Sequence, residues 1–515
     1  MSQQFRKTKI TSTLGPATTG KIWTFDLLKS SDNAQNVKDA YDRLEGIFKA
    51  GTTVVRFNFS HGSMEEQEVR IEMVRTASKK LGIPISLLLD TKGPEIRIAD
   101  MGKEGQTIEK GTNVTISALE NKTGTSNSFS VTDSTGTYNM ANDVKVKSKI
   151  LVDDGKLFLE VTAVDVKKGI ISAVALNSHL VKTNKRINLP GASYSMDFVS
   201  EKDKKDIILA AKYGFAYVAA SFVNNASNVN EIRKILKDNG GADVQLISKI
   251  ESTEGIENLD AIIQVSDGIM VARGDLGIEI PFETVPYWEK YMVDECRKAG
   301  KLVIVATQML DSMERNLLPT RAEVTDVFYS VNIGADSSMT SGETAAGLFP
   351  VNSIQTMNKI NVESEQTFDY EGAIELFKKN VKLAGNAYGK AVIEIAKKCV
   401  PSVKKGVAAY PYEFISVFTN EDILIKALST IRPAAAIIVV TDDEKAYTKY
   451  GALYGVKTYL VDDLASAEES AAETLSKAIN NYASVMGDGT INNKNVPTIL
   501  TSGTKEITVK TIKIN

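Results

Sequence analysis

Cysteine and histidine are scarce in this chain of 515 residues, which contains two of each. Cys296 and Cys399 cannot build a disulfide framework or a zinc cluster. His61 and His179, the only two histidines, leave little room for a histidine-rich metal centre. Any chemistry that the protein performs must therefore rest on carboxylates, lysine, arginine and hydroxyl groups.

Excess charge of one sign and long apolar runs are also missing. The 61 Lys and Arg residues nearly balance the 64 Asp and Glu residues, which leaves a net charge of −3. A polyanion-binding surface over the whole chain is therefore disfavoured, and no nucleic-acid partner is expected, although local basic pockets remain possible. No stretch of about 20 apolar residues could span a bilayer, and no apolar signal segment precedes Lys9. We predict a soluble cytoplasmic protein without a membrane partner.

The length predicts about three domains at roughly 150 residues each. Short apolar runs alternate with helical stretches up to about residue 98, and the same rhythm resumes after residue 191. Eight parallel strands separated by helices are typical of a (β/α)8 barrel. The strand candidates are Lys9–Leu14, Thr53–Phe59, Ile85–Asp90, Tyr217–Phe222, Val244–Ile250, Gly268–Ala272, Leu302–Thr307 and Asp336–Thr340.

Two further units complete the predicted α/β architecture. Residues 98–187 are rich in Thr, Val, Ser and Gly and predict a small antiparallel β-barrel inserted as a lid domain. Residues 363–515 predict an open α/β sheet whose last two strands run antiparallel, with a possible role in regulation or assembly. The barrel would then comprise residues 1–97 and 188–362.

Unusual polar residues collect at the C-terminal ends of the barrel strands, which share one mouth in such a fold. Lys249 and Glu251 lie two positions apart and share a face of their strand. Glu251 and Asp275 could jointly bind Mg²⁺ or Mn²⁺, which prefer oxygen ligands. Any one such pair could be a surface salt bridge, but the convergence of eight strand ends favours a functional site.

The same mouth predicts a pocket for a small phosphorylated anion. Arg56 and Lys249 beside the divalent cation would make that pocket strongly positive, and Arg97 and Arg273 would add charge. Backbone N–H groups around Gly274 could bind a carboxylate.

A second polar cluster follows the second and third strands and contains Asn58, Ser60, Asp90 and Thr91. One carboxylate with several neutral oxygens fits a monovalent cation better than a divalent one. Taken alone, the cluster is explained equally well as a satisfied polar network.

Seven strings of residues, in this order, resemble pyruvate kinase. The match covers the barrel densely, the inserted domain loosely and the C-terminal domain only in topology. The strings are Asn58-Phe59-Ser60-His61-Gly62, Asp90-Thr91-Lys92-Gly93-Pro94-Glu95-Ile96-Arg97, Ile247-Ser248-Lys249-Ile250-Glu251, residues 267–277, Ala306-Thr307-Gln308-Met309-Leu310, Pro319-Thr320-Arg321-Ala322-Glu323 and Ser341-Gly342-Glu343-Thr344-Ala345.

The resemblance implies transfer of the phosphoryl group of phosphoenolpyruvate to ADP, giving pyruvate and ATP. Arg56 and Lys249 would then hold the phosphoryl group, and Lys249 would stabilise charge on the enolate. Glu251 and Asp275 would bind Mg²⁺. The substrate carboxylate would bind to Gly274, Asp275 and Thr307, and Thr307 would orient the water or proton relay that protonates the enolate.

The resemblance also implies a monovalent-cation site, a nucleotide site and a homotetramer. Glu95 is typical of family members that require K⁺, which predicts K⁺ dependence here. Asp153-Asp154-Gly155 would lie near the nucleotide, although an ordinary hairpin turn explains this string as well. The K⁺ ligands would be Asn58, Ser60, Asp90 and Thr91, and the nucleotide, carrying a second Mg²⁺, would face Asn58, His61, Arg97 and Arg186.

Four departures from the family pattern stand out. Arg186 replaces the Lys of many members, Thr340 replaces the usual Leu, and residues 20–41 form an extension without an assigned role. Residues 420–423 (Asn-Glu-Asp-Ile) are acidic where sugar-phosphate-activated members carry a basic loop, so we expect no activation by fructose 1,6-bisphosphate through this loop.

Two rival functions are less consistent with these residues. Another Mg²⁺-dependent barrel that handles pyruvate enolate, such as an aldolase or phosphoenolpyruvate mutase, would share the carboxylates but needs neither a nucleotide lid nor a monovalent-cation site. A sensing or scaffolding protein would be expected to have lost Lys249, Glu251, Asp275 or Thr307, and all four are present.

Overall fold

The computed structural model of the chain describes residues 5–404, 407–486, 491, 493–501 and 507–514. Eight parallel strands close into a barrel, and each strand pairs with its neighbours in chain order. The predicted (β/α)8 barrel is thus confirmed, with strand bounds that shift by at most two residues. The strands are Lys9–Thr13, Val54–Asn58, Ser86–Asp90, Tyr217–Ala220, Gln245–Ile250, Gly268–Ala272, Leu302–Ala306 and Ser337–Thr340.

Helices surround this barrel and begin at residues suited to capping. The Ser63 hydroxyl accepts a hydrogen bond from the Glu66 N–H, and Thr320 and Glu323 form a reciprocal capping box. The helices are Pro16–Thr19, Phe25–Lys29, Ala34–Lys49, Met64–Leu81, Glu201–Lys212, Ala226–Asp238, Thr253–Glu257, Leu259–Val265, Arg273–Glu279, Val285–Ala299, Arg321–Ile333, Gly342–Ala345 and Pro350–Ser364. The extension 20–41 therefore folds into Phe25–Lys29 and the first half of Ala34–Lys49, but the structure gives it no function.

Hydroxyl groups are buried along the first barrel strand. All five residues of the first strand are buried although three of them are Thr or Ser. The Thr11 and Ser337 hydroxyls lie 2.9 Å apart, and those of Ser12 and Thr52 lie 2.7 Å apart. Because these groups satisfy one another, the strand can be polar and still be buried.

The inserted lid is a closed barrel of seven strands. It contains one parallel pair, Asn113–Ser117 with Ser128–Asp133, and this corrects the prediction of a wholly antiparallel domain. A separate two-stranded sheet pairs Gln106–Ile108 with His179–Val181. The seven strands are Ile96–Ile98, Asn113–Ser117, Ser128–Asp133, Lys149–Val152, Leu157–Asp165, Ile170–Ala175 and Arg186–Asn188. The predicted limits near residues 98 and 187 fall within the first and last of them.

The C-terminal unit is a five-stranded α/β sheet. Four of its strands run parallel, and the final pair, Asn495–Leu500 and Thr508–Lys513, is antiparallel as predicted. The other strands are Phe414–Phe418, Ala436–Thr441 and Val456–Leu460, with a small hairpin of Ser402–Lys404 and Val407–Ala409 outside the sheet. The helices are Tyr370–Asn380, Ala387–Lys398, Asp422–Thr430, Glu444–Lys449, Leu464–Glu469 and Ala471–Met486.

The C-terminal unit packs against the N-terminal end of the barrel, away from the mouth. Thr53 donates a hydrogen bond to the Gly451 carbonyl (2.7 Å), and the Gly451 N–H donates to the Ser86 hydroxyl (2.9 Å). The buried Lys7 ammonium pairs with Glu365 at 3.0 Å. In the part of the chain that the structure describes, no helix is both long and apolar enough to cross a bilayer.

The backbone of Gly451 lies close to Thr53 and Ser86 of the barrel. A Cβ at this position would lie 2.4 Å from Ser86 Oγ and 2.5 Å from the Thr53 carbonyl oxygen. Gly451→Ala should therefore lower the free energy of unfolding by about 1–3 kcal/mol, as overpacking does elsewhere. Differential scanning calorimetry should show a lower midpoint.

Gly385→Ala is the matched control, because a Cβ at Gly385 meets no atom within 4 Å. Equal midpoints for the two variants would show that the contact at Gly451 adapts without cost.

Candidate active site

Asp90 lies at the centre of the barrel mouth and binds two cationic side chains. Arg56 Nε lies 2.5 Å from Asp90 Oδ2, and Lys249 Nζ lies 3.1 Å from Asp90 Oδ1. Lys249 Nζ also donates to the Ser221 hydroxyl (2.7 Å), which lies 2.7 Å from the Thr91 carbonyl oxygen. Side chains from three different strands and a following loop are thus held together at one point.

Buried charges in this group stabilise one another. Burial alone would raise the pKa of Asp90, but the charges of Arg56 and Lys249 outweigh it and lower that pKa. Burial would likewise lower the pKa of Lys249, and Asp90 and Glu251 together raise it. Lys249 is therefore a protonated ammonium at neutral pH, able to bind anionic oxygens at the mouth.

Glu251 follows the fifth strand and is fully buried. Its Oε2 accepts a hydrogen bond from the Phe222 N–H (2.7 Å), whereas Oε1 lies 3.0 Å from Lys249 Nζ without making a hydrogen bond of good geometry. The pKa of Glu251 is raised to about 7, with burial as the largest cause; the charge of Lys249 opposes this shift and the negative charge of Asp275 adds to it.

This carboxylate pair fits a divalent cation. Glu251 presents a buried oxygen without a hydrogen-bond donor, and Asp275 is close enough to repel it. Among the described residues no group of three or more His, Cys, Asp or Glu residues could hold a metal. Two protein carboxylates, with the other ligands supplied by water and substrate, are the arrangement that Mg²⁺ commonly takes.

Gly274 and Thr307 are held in contact beside this pair. The Gly274 N–H donates to Thr307 Oγ1 at 2.7 Å, where helix Arg273–Glu279 begins. Thr307 and Gln308 have φ values of 72° and 54°, a left-handed conformation that is uncommon outside glycine. Backbone strain of this kind persists where surrounding contacts impose it, and it is concentrated at functional sites.

Arg273 does not add free charge to the mouth, which corrects the expectation from sequence. Its guanidinium pairs with Asp326 (2.6 Å) and Glu289 (3.2 Å) on two outer helices. It also donates to the Thr307 carbonyl at 2.7 Å. Arg273 is therefore a support that fixes the strained turn at Thr307.

The lid brings Arg97 and Arg186 to the mouth, where both bind the buried Glu95. Arg97 Nε lies 2.9 Å from Glu95 Oε2, and Arg186 Nη2 lies 2.6 Å from Glu95 Oε1. Arg186 Nη1 also contacts Asp275. Desolvation and then the charge of Arg97 lower the pKa of His61, which shows that His61 lies close enough to Arg97 to feel its charge. Two of the predicted nucleotide residues, Arg97 and Arg186, thus meet at Glu95, and Arg186 contacts the predicted metal ligand Asp275.

The charged side chains of the mouth balance when Glu251 is ionised. The cations Arg56, Lys249, Arg97 and Arg186 form ion pairs with four carboxylates, Asp90, Glu251, Glu95 and Asp275. The sequence predicts a concentrated cationic mouth, and the ion pairs correct this expectation for the side chains themselves. The side chains alone carry four charges of each sign, so a net positive mouth requires the divalent cation.

The predicted monovalent-cation residues lie together but already have partners. Asn58 Oδ1 accepts a hydrogen bond from the Ser60 N–H (3.0 Å), and the Thr91 carbonyl lies within hydrogen-bond distance of Ser221. Asp90 binds two cations, as described above. The satisfied polar network is present, and K⁺ binding by Asn58, Ser60, Asp90 and Thr91 stays a prediction.

Asp153-Asp154-Gly155 is the turn of a hairpin between two antiparallel lid strands. All three residues have positive φ. The Asp153 carboxylate binds Lys185 (2.8 Å) and His179 (2.9 Å). The pKa of Asp153 is lowered to about 2: burial opposes the shift, and hydrogen bonds from Lys185 and His179 outweigh it. The hairpin interpretation is confirmed, while proximity to a nucleotide stays a prediction.

Sequence reasoning missed the part that Ser221 plays in the site. This serine follows the fourth strand, so the rule that singled out the other strand ends applied to it as well. Its contact with Lys249 could not be read from spacing, because 28 residues separate the two.

Comparison with known proteins agrees with this geometry. The family model described as pyruvate kinase, barrel domain, matches residues 5–354. The chain is 46% identical to a pyruvate kinase of Mycoplasma genitalium over 94% of this chain and 96% of that protein. It is 47% identical to one of Mycoplasma pneumoniae over 90% and 91% of the two chains. The chain belongs to the pyruvate kinase family.

A solved structure gives the same result. A pyruvate kinase from Cryptosporidium parvum superposes with a TM-score of 0.83 and 30% identity, covering 99% of this chain and 96% of that one. The predicted family and fold class are confirmed. The chain is a glycolytic phosphotransferase that converts phosphoenolpyruvate to pyruvate.

Proposed function

We propose that phosphoryl transfer from phosphoenolpyruvate to ADP takes place at the barrel mouth, with Lys249 and Arg56 binding the group in transit. The observation that carries this proposal is the convergence of both cations on the buried Asp90. Phosphoryl transfer requires mainly positioning and neutralisation of charge, which two fixed cations provide. Lys249 also stabilises negative charge on the enolate as the phosphoryl group leaves.

Glu251 and Asp275 hold a divalent cation, Mg²⁺ or Mn²⁺, in this proposal. When bound, the cation supplies Lewis-acid stabilisation of the enolate oxygen and the substrate carboxylate. Glu251 Oε1, which accepts no hydrogen bond, and the nearby charge of Asp275 support this assignment.

Gly274, Asp275 and Thr307 bind the substrate carboxylate at the start of helix Arg273–Glu279. The Thr307 hydroxyl, fixed by the Gly274 N–H and by its own strained turn, orients the water or proton relay that protonates the enolate carbon. Arg273 acts through Thr307 as a positioning residue.

The nucleotide binds between the barrel and the lid, facing Asn58, His61, Arg97 and Arg186 and carrying the second Mg²⁺. A closed lid excludes water and so limits hydrolysis of the phosphoryl group. The lid strands and the two arginines that reach the barrel support this role.

The other parts of the proposal rest on the family resemblance. K⁺ binds at Asn58, Ser60, Asp90 and Thr91, the enzyme is cytoplasmic, and four copies assemble. The three domains follow the limits predicted from sequence, with residues 363–515 serving assembly or regulation.

Replacing Lys249 tests the central assignment. Lys249→Met should lower kcat by at least about 10²–10³-fold, because a preorganised charge at the transferring group is lost. The measurement is pyruvate release from phosphoenolpyruvate, ADP, Mg²⁺ and K⁺ in an assay coupled to lactate dehydrogenase. Lys234→Met, at an exposed helical lysine, is the matched control and should keep wild-type turnover.

The same assay separates the rival functions. Absence of ADP-dependent pyruvate release by the wild-type chain would reject the phosphotransferase and favour one of the rival functions, the aldolase or mutase or the sensing role. Wild-type turnover in a folded Lys249→Met variant would place the phosphoryl-binding cation elsewhere.

Dependence on K⁺ is a second expected outcome. Replacing K⁺ by tetramethylammonium at equal ionic strength should lower turnover at least about tenfold, equivalent to 1.4 kcal/mol of transition-state stabilisation. Tetramethylammonium is too large to enter the oxygen cluster around Asp90. The positive charge that K⁺ would supply beside the phosphoryl group is therefore missing. Similar turnover with either cation would contradict the K⁺ assignment.

The acidic loop 420–423 predicts that fructose 1,6-bisphosphate does not activate through it. Asn420 is held by Asp442 and Thr441, each at 2.6 Å, and the nearby Lys426 and Lys449 already pair with Asp422. Neither of these two lysines is left free to bind a phosphate. Titration of the effector should leave the apparent KM for phosphoenolpyruvate unchanged. A large fall in KM that substitution of Asn420–Ile423 abolishes would overturn this expectation.

A further inference from the structure

Arg186 bridges the lid and the barrel through two carboxylates at once. It lies on the last lid strand, Arg186–Asn188, with its side chain 22% exposed. One terminal nitrogen contacts Asp275, and the other lies 2.6 Å from Glu95. The guanidinium carbon also lies 5.4 Å from the centre of the Phe222 ring. Three contacts therefore fix this side chain in one position.

The position matters because Asp275 cannot serve two cations equally well. The Asp275 oxygen that contacts Arg186 belongs to the carboxylate that, with Glu251, forms the proposed divalent-cation site. A divalent ion held there would repel the guanidinium, and the low polarity of a partly buried site strengthens that repulsion. Arg186 and the divalent cation are therefore competitors for Asp275.

Phe222 connects the same arginine to the second metal ligand. Its backbone N–H donates to Glu251 Oε2, while its ring supports Arg186. Phe222 has a φ of 54°, so this close arrangement is imposed on the backbone by its surroundings. Any shift of Arg186 away from Asp275 thus takes place directly beside both proposed ligands.

We propose that Arg186 is an internal counter-ion of Asp275 that the divalent cation displaces on binding. This inference rests on the proposed metal site. Displacement removes one of the contacts that hold the lid to the barrel and frees the guanidinium for the phosphates of the nucleotide. Because coupling between binding events is reciprocal, lid closure through Arg186 weakens divalent-cation binding until the nucleotide is present.

The guanidinium fork is the feature that makes this competition effective. Its two terminal nitrogens contact Asp275 and Glu95 together, which a single ammonium group cannot match. Arg97 reaches Glu95 but is not paired with Asp275 among the described residues. Arg186 is therefore the lid cation placed to compete for the metal ligand.

Binding of Mn²⁺ to the full chain, without phosphoenolpyruvate or nucleotide, tests the proposal. Electron paramagnetic resonance measures free Mn²⁺ directly and requires no turnover. Arg186→Gln should bind Mn²⁺ at least about fivefold more tightly than the wild type, the lower end of typical coupling between sites. Arg186→Lys should lie between the two, because it keeps the charge but loses the fork.

Lys185→Gln is the matched control, since it removes the neighbouring positive charge of the lid. Lys185 binds Asp153 within the lid and should leave Mn²⁺ affinity unchanged. If Lys185→Gln raised the Mn²⁺ affinity as much as Arg186→Gln does, the effect would be a general result of removing positive charge, and the proposal would be overturned. Unchanged or weaker Mn²⁺ binding by both Arg186 variants would overturn it as well.

Glu251→Gln separates failure of this inference from failure of the metal site. If the Glu251→Gln variant does not bind Mn²⁺ more weakly than the wild type does, the proposed metal site itself is wrong. If it does weaken binding but Arg186→Gln does not strengthen it, only the role of Arg186 is wrong.

The KM for ADP supplies a second readout that a purely structural role of Arg186 would not produce. Arg186→Gln should raise this KM while it strengthens Mn²⁺ binding. A higher KM for ADP together with weaker Mn²⁺ binding would indicate a damaged site and contradict the proposal.

Discussion

The buried contact of Asp90 with Arg56 and Lys249 is the constraint on which the barrel mouth depends. Two cations held close together would repel each other and would be costly to remove from water, unless a carboxylate lies between them. Asp90 supplies that carboxylate, and the Ser221 hydroxyl accepts a second hydrogen bond from Lys249. The price of the arrangement is a fixed geometry, which is the property that phosphoryl transfer requires of its binding groups. Removing Asp90 would therefore disturb substrate binding without touching the substrate.

Burial affects Glu251 differently from Asp90, whose pKa is lowered by its two cationic partners. Its pKa rises to about 7 because burial outweighs the neighbouring ammonium, and one of its oxygens accepts no hydrogen bond. An isolated carboxylate in this state is unfavourable. The same features suit a divalent cation, since the ion would add positive charge to that of Lys249 and coordinate the oxygen that accepts no hydrogen bond. Stability and function thus make opposite demands on this residue, and the fold satisfies the functional demand.

The barrel and most of its mouth could be predicted from sequence because each strand carries its own local signal. An apolar run followed by a polar cluster shows where a strand ends, and the closed topology then brings Arg56, Asp90 and Lys249 together. Partners fixed by tertiary packing could not be predicted in this way. Arg273 looked like another cation of the mouth, yet its partners Glu289 and Asp326 lie on outer helices 16 and 53 residues away. The helix Glu444–Lys449 likewise ends just before the close approach of Gly451 to the barrel, a contact with no local sequence signal.

Charge balance in the mouth connects the lid to the chemistry. With Glu251 ionised, four cations face four carboxylates, so the side chains alone offer little net attraction to a trianionic substrate or a nucleotide. A divalent cation bound at Glu251 and Asp275 changes this balance by two charges and turns the mouth positive. In the proposed displacement Arg186 loses Asp275 as its partner in the same event and becomes available to phosphate oxygens. Because both changes would occur at the same carboxylate, the anionic substrates would meet a positive mouth and a free lid arginine only after the metal has bound.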